Sequence, residues 1–490
     1  MKNILNRIYY NYYNIDKNYY FPIDKDYMRF VFMLINEKIE NLSVNEAIEK
    51  YRNRNNPFKD IILNNIDNRR DYLIESETIH ITYPIEETLE RIKVLYNVIG
   101  KKEWEEIFGF NYKLFYNFIV FIIYRIFMFN YVRITHDVEY IKRYEDAFPD
   151  SKKCYFTKKE LYNFFNNNPQ IDKILDFISI DINKQVKKTD STKLLYYNGK
   201  YYLYFIWDFI YNLFDEIEIR ILEHTVDVDK FYHKKGKCFE SLCYDKLCKY
   251  YPKDKIYKNI KYDYMGGNNE VDLILELPKS YLIFECKSSE FNIDKFNSNR
   301  ELYKRFLTAF GRGFKTIDNL DNYIKSGNNI FYKETKKKLL NLNFKDKKVY
   351  FVNLSLYNIE YLQTQIQKIK KEFIKPANVY PICWNYLDFG SIMKLSPLDI
   401  KLFEQYLEKR TRLLNKKKSI TFDIDEIDAF GFLTEPKYEY VYNMLMNHIN
   451  DNIDENFMIS NGAYRTEFNS MFNKKFIGDY MRKITNSSDI

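Results

Sequence analysis

Glu270-Val271-Asp272-Leu273-Ile274-Leu275-Glu276-Leu277-Pro278-Lys279-Ser280-Tyr281-Leu282-Ile283-Phe284-Glu285-Cys286-Lys287 is the stretch that decides the fold of this chain. Pro278-Lys279-Ser280 separates two apolar runs, which reads as a hairpin. Side chains alternate between the faces of a strand. Val271, Leu273, Leu275 and Leu277 therefore share one face of the first strand, with Glu270 and Asp272 on the other. On the second strand Leu282, Phe284 and Cys286 share an apolar face, and Glu285 and Lys287 lie opposite. A two-residue loop at Lys279-Ser280 sets Asp272 level with Lys287 and diagonal to Glu285. A loop shifted by one residue sets Asp272 level with Glu285. Either register gathers Glu270, Asp272, Glu285 and Lys287 into one patch, and the apolar reverse face must be packed.

Carboxylates within a few ångströms of each other repel unless a cation or proton lies between them. An oxygen-rich cluster with an open side suits Mg²⁺, which keeps several waters and binds phosphate. Lys287 shares the face of Glu285 and is placed to hold a water or phosphoryl oxygens. An isolated E-x-K is more simply a surface ion pair. Three features weigh against that here: Asp272 one hairpin away, the apolar strand cores, and Glu240 just upstream. Glu240 falls in a helix expected over Lys237–Tyr250, whose apolar stripe is Phe239, Leu242, Cys243, Leu247 and Tyr250. It lies about 100° round from Phe239, at the edge of the buried face, where a carboxylate can reach a cation at the strand ends. Around this helix and hairpin the sequence reads as strand Lys255–Tyr264, a turn at Gly266-Gly267, a long helix over about Arg300–Lys325 and a strand over Lys348–Leu354. That order is a mixed α/β layer pattern.

Glu240, Asp272 and Glu285-Cys286-Lys287, in this order of elements, resemble the PD-(D/E)xK, or restriction-endonuclease-like, superfamily. The match covers about Phe231–Leu354, with Val271 where the family name has proline. The flanking spans also resemble bacterial E-x-K nucleases with long extensions, in Tyr406-Leu407-Glu408-Lys409-Arg410 and Asp425-Glu426-Ile427-Asp428. The resemblance implies an αβββαβ core and metal-dependent phosphodiester hydrolysis, on DNA rather than RNA, in a restriction or phage-defence role. It implies Mg²⁺ or Mn²⁺ held by Asp272, Glu285 and the Cys286 carbonyl, with Glu240 completing the site. Lys287 orients the water and stabilises developing charge, and Glu270 is a further ligand or supports one. The helix after E-x-K often faces substrate in this family. Here Arg305, Arg312 and Lys315 recur on roughly one face, as expected of phosphate contacts, although the glutamine that some relatives carry is missing between Arg300 and Lys325. Gly311 and Gly313 in this helix mark a kink or a close backbone approach. The alternative is a catalytically inactive nucleic-acid-binding or scaffold protein on the same fold.

The rest of the chain sets bounds. Its 490 residues suggest about three domains, divided as a mainly helical region 1–225, a nuclease domain 226–395 and a helical extension 396–490. A 46% apolar content excludes disorder for the bulk, and a net charge of +8 permits a polyanionic partner without demanding one. The many Tyr and Phe residues go with an AT-rich codon bias, so aromatics beside lysines say little about nucleic acid. Six scattered cysteines and five dispersed histidines form neither a disulfide framework nor a zinc site. No secretory signal is read at Met1–Arg7. The apolar stretch Leu114–Val132 contains Asn117, Arg125 and Asn130 and reads as a buried helix rather than a membrane span. A cytoplasmic protein is expected, with self-association or a protein partner through the helical regions left open. Within 1–225, helices are expected at 44–52 (Ser43 and Glu46 as a capping box), Glu86–Gly100, Thr157–Asn166 and Phe205–His224, with a hairpin turning at Asn198-Gly199. No P-loop motif is present. Asp423–Asp428 reads as a helix start, and the lysine-rich segment Lys336–Lys348 as a solvated loop.

Overall fold

The hydrophobic alternation on either side of Pro278 builds the centre of a mixed α/β fold. The computed structural model describes residues 84–131, 155–181, 193–197, 199–202, 206–289, 312–328, 330–333, 338–340, 342–357, 379–415, 421–422, 426–448, 458–459, 472–473, 475–476 and 479. The helix expected at 44–52 lies outside them. The chain divides into two compact units, one comprising 1–226 with 470–490 and the other 227–469.

In the first unit, α1 (Ile85–Phe108) is interrupted at Gly100, whose φ of 81° and ψ of 173° are not helical. A second run then continues to Gly109, in the left-handed region, whose N–H closes on the Glu105 carbonyl. Asn111 caps α2 (Tyr112–Tyr131), its side-chain oxygen accepting the Lys113 N–H at 2.8 Å. Phe115 and Phe118 to Ile123 of α2 are buried. Among the described residues no single helix is long and apolar enough to cross a membrane. Taken together α1 and Tyr112–Ile123 have that length and composition, but they meet at 78°. Beyond them come β1 (Tyr155–Thr157), α3 (Lys158–Phe164), α4 (Gln170–Ile178), β2 (Ser179–Asp181), β3 (Leu194–Tyr197), β4 (Lys200–Tyr202) and α5 (Ile206–His224). Thr157 and Glu160 form the capping box that starts α3. β3 and β4 pair antiparallel, as the hairpin reading expects, with Gly199 between them at φ 78°; Asn198 lies outside the described residues. This hairpin is flanked by β1 and β2 in a four-stranded sheet, a feature the helical reading of this region did not anticipate.

The second unit opens with α6 (Val228–Tyr250), capped by Asp227. It starts nine residues before Lys237, where the helix is expected to begin. Three antiparallel strands follow: β5 (Ile256–Tyr264), β6 (Gly267–Glu276) and β7 (Ser280–Lys287). Next are α7 (Arg312–Lys325), β8 (Phe331–Lys333), β9 (Lys338–Leu340) and β10 (Lys348–Ser355). The start of the helix expected from Arg300 lies outside the described residues. β11 (Ile382–Asn385), α8 (Tyr386–Leu395), α9 (Ile400–Leu414), β12 (Thr421–Phe422), α10 (Glu426–Thr434), α11 (Glu439–His448) and β13 (Met458–Ile459) complete the unit.

The sheet has seven strands in the order β11-β10-β7-β6-β5-β8-β9. β10 is parallel to both β7 and β11, and the remaining pairs are antiparallel. Helices cover both faces. On one, α6 presents Phe239, Cys243 and Leu247, all buried, and α8 packs Phe389 against Phe284 with ring centroids 5.7 Å apart. On the other, Ile317, Leu320 and Tyr323 of α7 cover Ile274, Tyr281, Ile283 and Phe351. Nearer the turn the hairpin face that bears Glu285 is therefore core, and Val271 joins this α7-side cluster with Ile274 and Ile283 rather than sharing the face of Leu273, so the expected alternation breaks at Asp272.

Two further differences concern position in the chain. The lysine-rich segment read as a solvated loop supplies edge strand β9 and buries Leu342 and Phe344 in the core under α7. Within it, Lys347 donates to Glu276 and to the Leu277 carbonyl, both at 2.8 Å. The segment after 395 is divided: 470–490 belongs to the first unit, while α9 and α10 pack within the second, α9 on β10 and β11 and α10 on α8. A buried ion pair between Arg410 and Glu426, joined by the Tyr406 hydroxyl at 2.8 Å, fixes α9 to α10. The acidic cluster at 423–428 does start a helix, α10, at Glu426.

Candidate active site

The turn of the β6–β7 hairpin decides which residues meet. Leu277 N–H donates to the Ser280 carbonyl at 2.8 Å, so the turn is Pro278-Lys279 and Glu276 faces Tyr281. The ladder runs on to Leu273 opposite Phe284 and stops. Continuing that register sets Asp272 level with Glu285, the second of the two registers the sequence allows. Where the strands part, Asp272 reaches across and its carboxylate accepts the Cys286 backbone N–H at 2.7 Å. That bond fills a donor that strand pairing has left open.

Glu285 is buried, and its carboxylate accepts from Lys287. Burial first, and then the charge of Glu285, holds the Asp272 carboxyl well above the usual carboxylate range. Burial likewise raises Glu285, with Lys287 working in the opposite direction. For Lys287 burial disfavours the charge, but Glu285 and Asp272 outweigh it, so its pKa lies above the ordinary lysine value. The three groups share a confined excess of negative charge that Lys287 only partly neutralises.

From α6, Glu240 accepts from Lys237 at 3.0 Å, and the same ammonium lies 3.7 Å from Glu270. Glu240 and Glu270 each add to the negative field at Glu285. The structure thus brings Glu240, Glu270, Asp272, Glu285 and Lys287 to one end of the sheet. Lys237 was missed in the sequence, although its spacing of three residues from Glu240 on a helix was a signal. The Cys286 side chain meets Cys243 of α6, within the field of Asp272 and Glu240. All five described cysteines are free thiols.

Among the described residues, no group of three or more His, Cys, Asp or Glu side chains is preassembled to hold a metal ion. The donor set is nonetheless chemically suited to one class of ion. Asp272, Glu285, Glu240 and the Cys286 carbonyl offer only hard oxygen, which favours Mg²⁺ or Mn²⁺ over zinc. The carboxylates are at present engaged by ammonium groups and a backbone N–H, the partners a cation would replace or join.

Of the expected phosphate contacts, Arg305 lies outside the described residues. Arg312 opens the described part of α7, and Lys315 is exposed on it. Gly313 is a close approach to another part of the protein. A Cβ there would stand 3.1 Å from the Asn353 side-chain oxygen and 3.2 Å from its nitrogen. Asn353, in β10 directly beside Glu285, was also missed; a lone amide within an apolar strand was the available signal. Set against family models, curated proteins and solved structures, the chain matches none.

Proposed function

We propose that the second unit is a metal-dependent nuclease of the restriction-endonuclease-like kind, acting on DNA. The observation that carries this reading is the meeting of Asp272, Glu285 and Lys287 where the hairpin splits, with Glu240 brought to them from α6. The order helix, three antiparallel strands, helix and parallel strand supports it. So does the free energy the arrangement costs: like charges crowded into a half-buried site are retained for chemistry more readily than for stability.

In this reading Asp272, Glu285 and the Cys286 carbonyl hold Mg²⁺ or Mn²⁺, with Glu240 completing the set. When bound, the cation supplies positive charge to the phosphate and acidifies the attacking water. Glu285 and Asp272 orient that water against the phosphorus. Lys287 turns from Glu285 toward a phosphoryl oxygen and stabilises the charge that grows there. Its raised pKa keeps it protonated and suits it to this role rather than to that of a base. Lys237 neutralises Glu240 and Glu270 until substrate arrives, and Lys315 lies on the helix that follows E-C-K, where backbone phosphates would be met. A defence role, with the first unit selecting substrate or partner, is the biological setting proposed.

The test is incubation of the full chain with plasmid, linear and single-stranded DNA in Mg²⁺, Mn²⁺ or EDTA. Cleavage that needs the divalent ion and disappears in Asp272→Ala supports the proposal. DNA binding without cleavage under every condition would instead favour an inactive binding protein on the same fold.

A further inference from the structure

Asn353 is 1% exposed, and among the described residues neither its side-chain oxygen nor its nitrogen has a hydrogen-bond partner. A buried amide left unpaired is costly, and one found in a folded protein calls for an explanation. Its position supplies one. β10 runs parallel to β7 with Asn353 in register with Glu285, so the two side chains leave the same face of the sheet from strands about 4.8 Å apart. The start of the described part of α7 closes over the amide, and Gly313 is the residue that leaves it room. On the same face the Tyr262 hydroxyl is also buried and, among the described residues, without a hydrogen-bond partner. Burial and the nearby charge of Glu285 push its phenol well up. Glu285 therefore has Lys287 as its partner, with the Asn353 amide on the adjacent strand β10 and the Tyr262 hydroxyl across the sheet on β5 as neutral groups on the same face.

We propose that Asn353 is the standby partner of Glu285: its amide N–H takes the carboxylate when Lys287 leaves it. The inference rests on the reading of Lys287 as the group that turns to substrate phosphate. A buried carboxylate deserted by its ammonium resists the change unless another donor replaces it. With Asn353 at hand, Lys287 is released at low cost and Glu285 stays oriented. Asn353 is thus a positioning residue, with Tyr262 as a weaker second donor.

The test uses thermal midpoints of the metal-free full chain. Asn353→Leu removes an unpaired amide in favour of an apolar group of similar size, so in the wild-type background it should raise the midpoint or leave it unchanged. In the Lys287→Met background Glu285 depends on Asn353, and the same substitution should lower the midpoint. That reversal of sign is the expected result; a purely structural amide would give the same sign in both. Asn353→Leu with Lys287 intact should also slow cleavage about 10- to 100-fold, the worth of one hydrogen bond to a charged group, and Asn353→Ser, which keeps a donor, should recover part of it. An equal effect of Asn353→Leu in both backgrounds overturns the inference, whether or not the protein cleaves DNA. Absence of cleavage by the wild type, with the sign reversal present, overturns the nuclease reading and leaves the standby contact in place.

Discussion

Asp272→Asn should make the metal-free protein more stable while destroying its function. The Leu273–Phe284 pair ends the ladder, and Asp272 and Glu285 are the next residues on the two strands; opposed side chains on paired strands lie about 5 Å apart, the spacing taken for their carboxylates. Two charges at that distance repel by roughly 3 kcal/mol at an effective dielectric of ~20. Lys287 attracts both and removes part of this, leaving about 1–2 kcal/mol. Asparagine keeps an oxygen for the Cys286 N–H, so the one bond that Asp272 accepts there survives. For a unit of this size the gain corresponds to a rise of about 2–8 °C in thermal midpoint. The pH dependence carries its own sign. The folded-state pKa of Asp272 is raised, so its proton stabilises the fold fully below the unfolded value near 4. That contribution is lost as pH rises through the folded value. Wild type and Asp272→Asn should therefore coincide below about pH 4 and diverge as pH rises, with the variant higher. Calorimetric scans from pH 3 to 8 in chelator (roughly the range that brackets the shift) read this directly, and Mn²⁺ titration at pH 7 should show binding lost. A variant less stable than wild type at pH 7, or a difference that does not vary with pH, would refute the reasoning about crowded charge.

Lys287→Ala leaves the carboxylates in place and removes a competing cation. Mn²⁺ binding by calorimetry should persist or tighten, while cleavage falls at least ~10²-fold; wild-type cleavage in this variant would sink the assignment of the site. Glu276→Gln breaks the cluster in which Lys347, Tyr257 and Lys255 meet one half-buried carboxylate at the hairpin turn. It should cost about 1–3 kcal/mol at pH 7 by urea unfolding. Burial opposes ionisation of Glu276, but these partners lower its pKa overall. The stabilisation is therefore present above the unfolded value and disappears as pH falls through the folded one, so wild type and variant should converge in acid. Arg410→Met leaves Glu426 buried without its counter-ion and should destabilise the second unit by about 3–5 kcal/mol. A smaller effect in urea titrations would mean that Tyr406 alone suffices to hold that carboxylate.

What the sequence by itself determined was local. Strand alternation placed Glu285 and Lys287 on one face, helical periodicity placed Glu240 at the rim of α6, and Asn198-Gly199 marked its hairpin, because each rests on a fixed side-chain period or a turn requiring positive φ; at Asp272 the alternation breaks, and Val271 packs with Ile274. Turn chemistry left two registers for the β6–β7 hairpin, since Pro278-Lys279-Ser280 accommodates either. Only the pairing of both strands with their neighbours, and the packing of α7 on Ile274 and Ile283, selected the one that sets Asp272 level with Glu285. Tertiary structure also decided what joins the sheet. β9 and β11 are too short to announce themselves, and Leu342 and Phe344 are buried from a stretch whose lysines suggest solvent. Asn353 is the sharpest case. Nothing in Phe351-Val352-Asn353-Leu354 connects it to Glu285, more than sixty residues earlier. Their adjacency arises because a parallel pair needs a crossover, and this crossover brings β10 back beside β7 in a register that puts the amide next to the carboxylate.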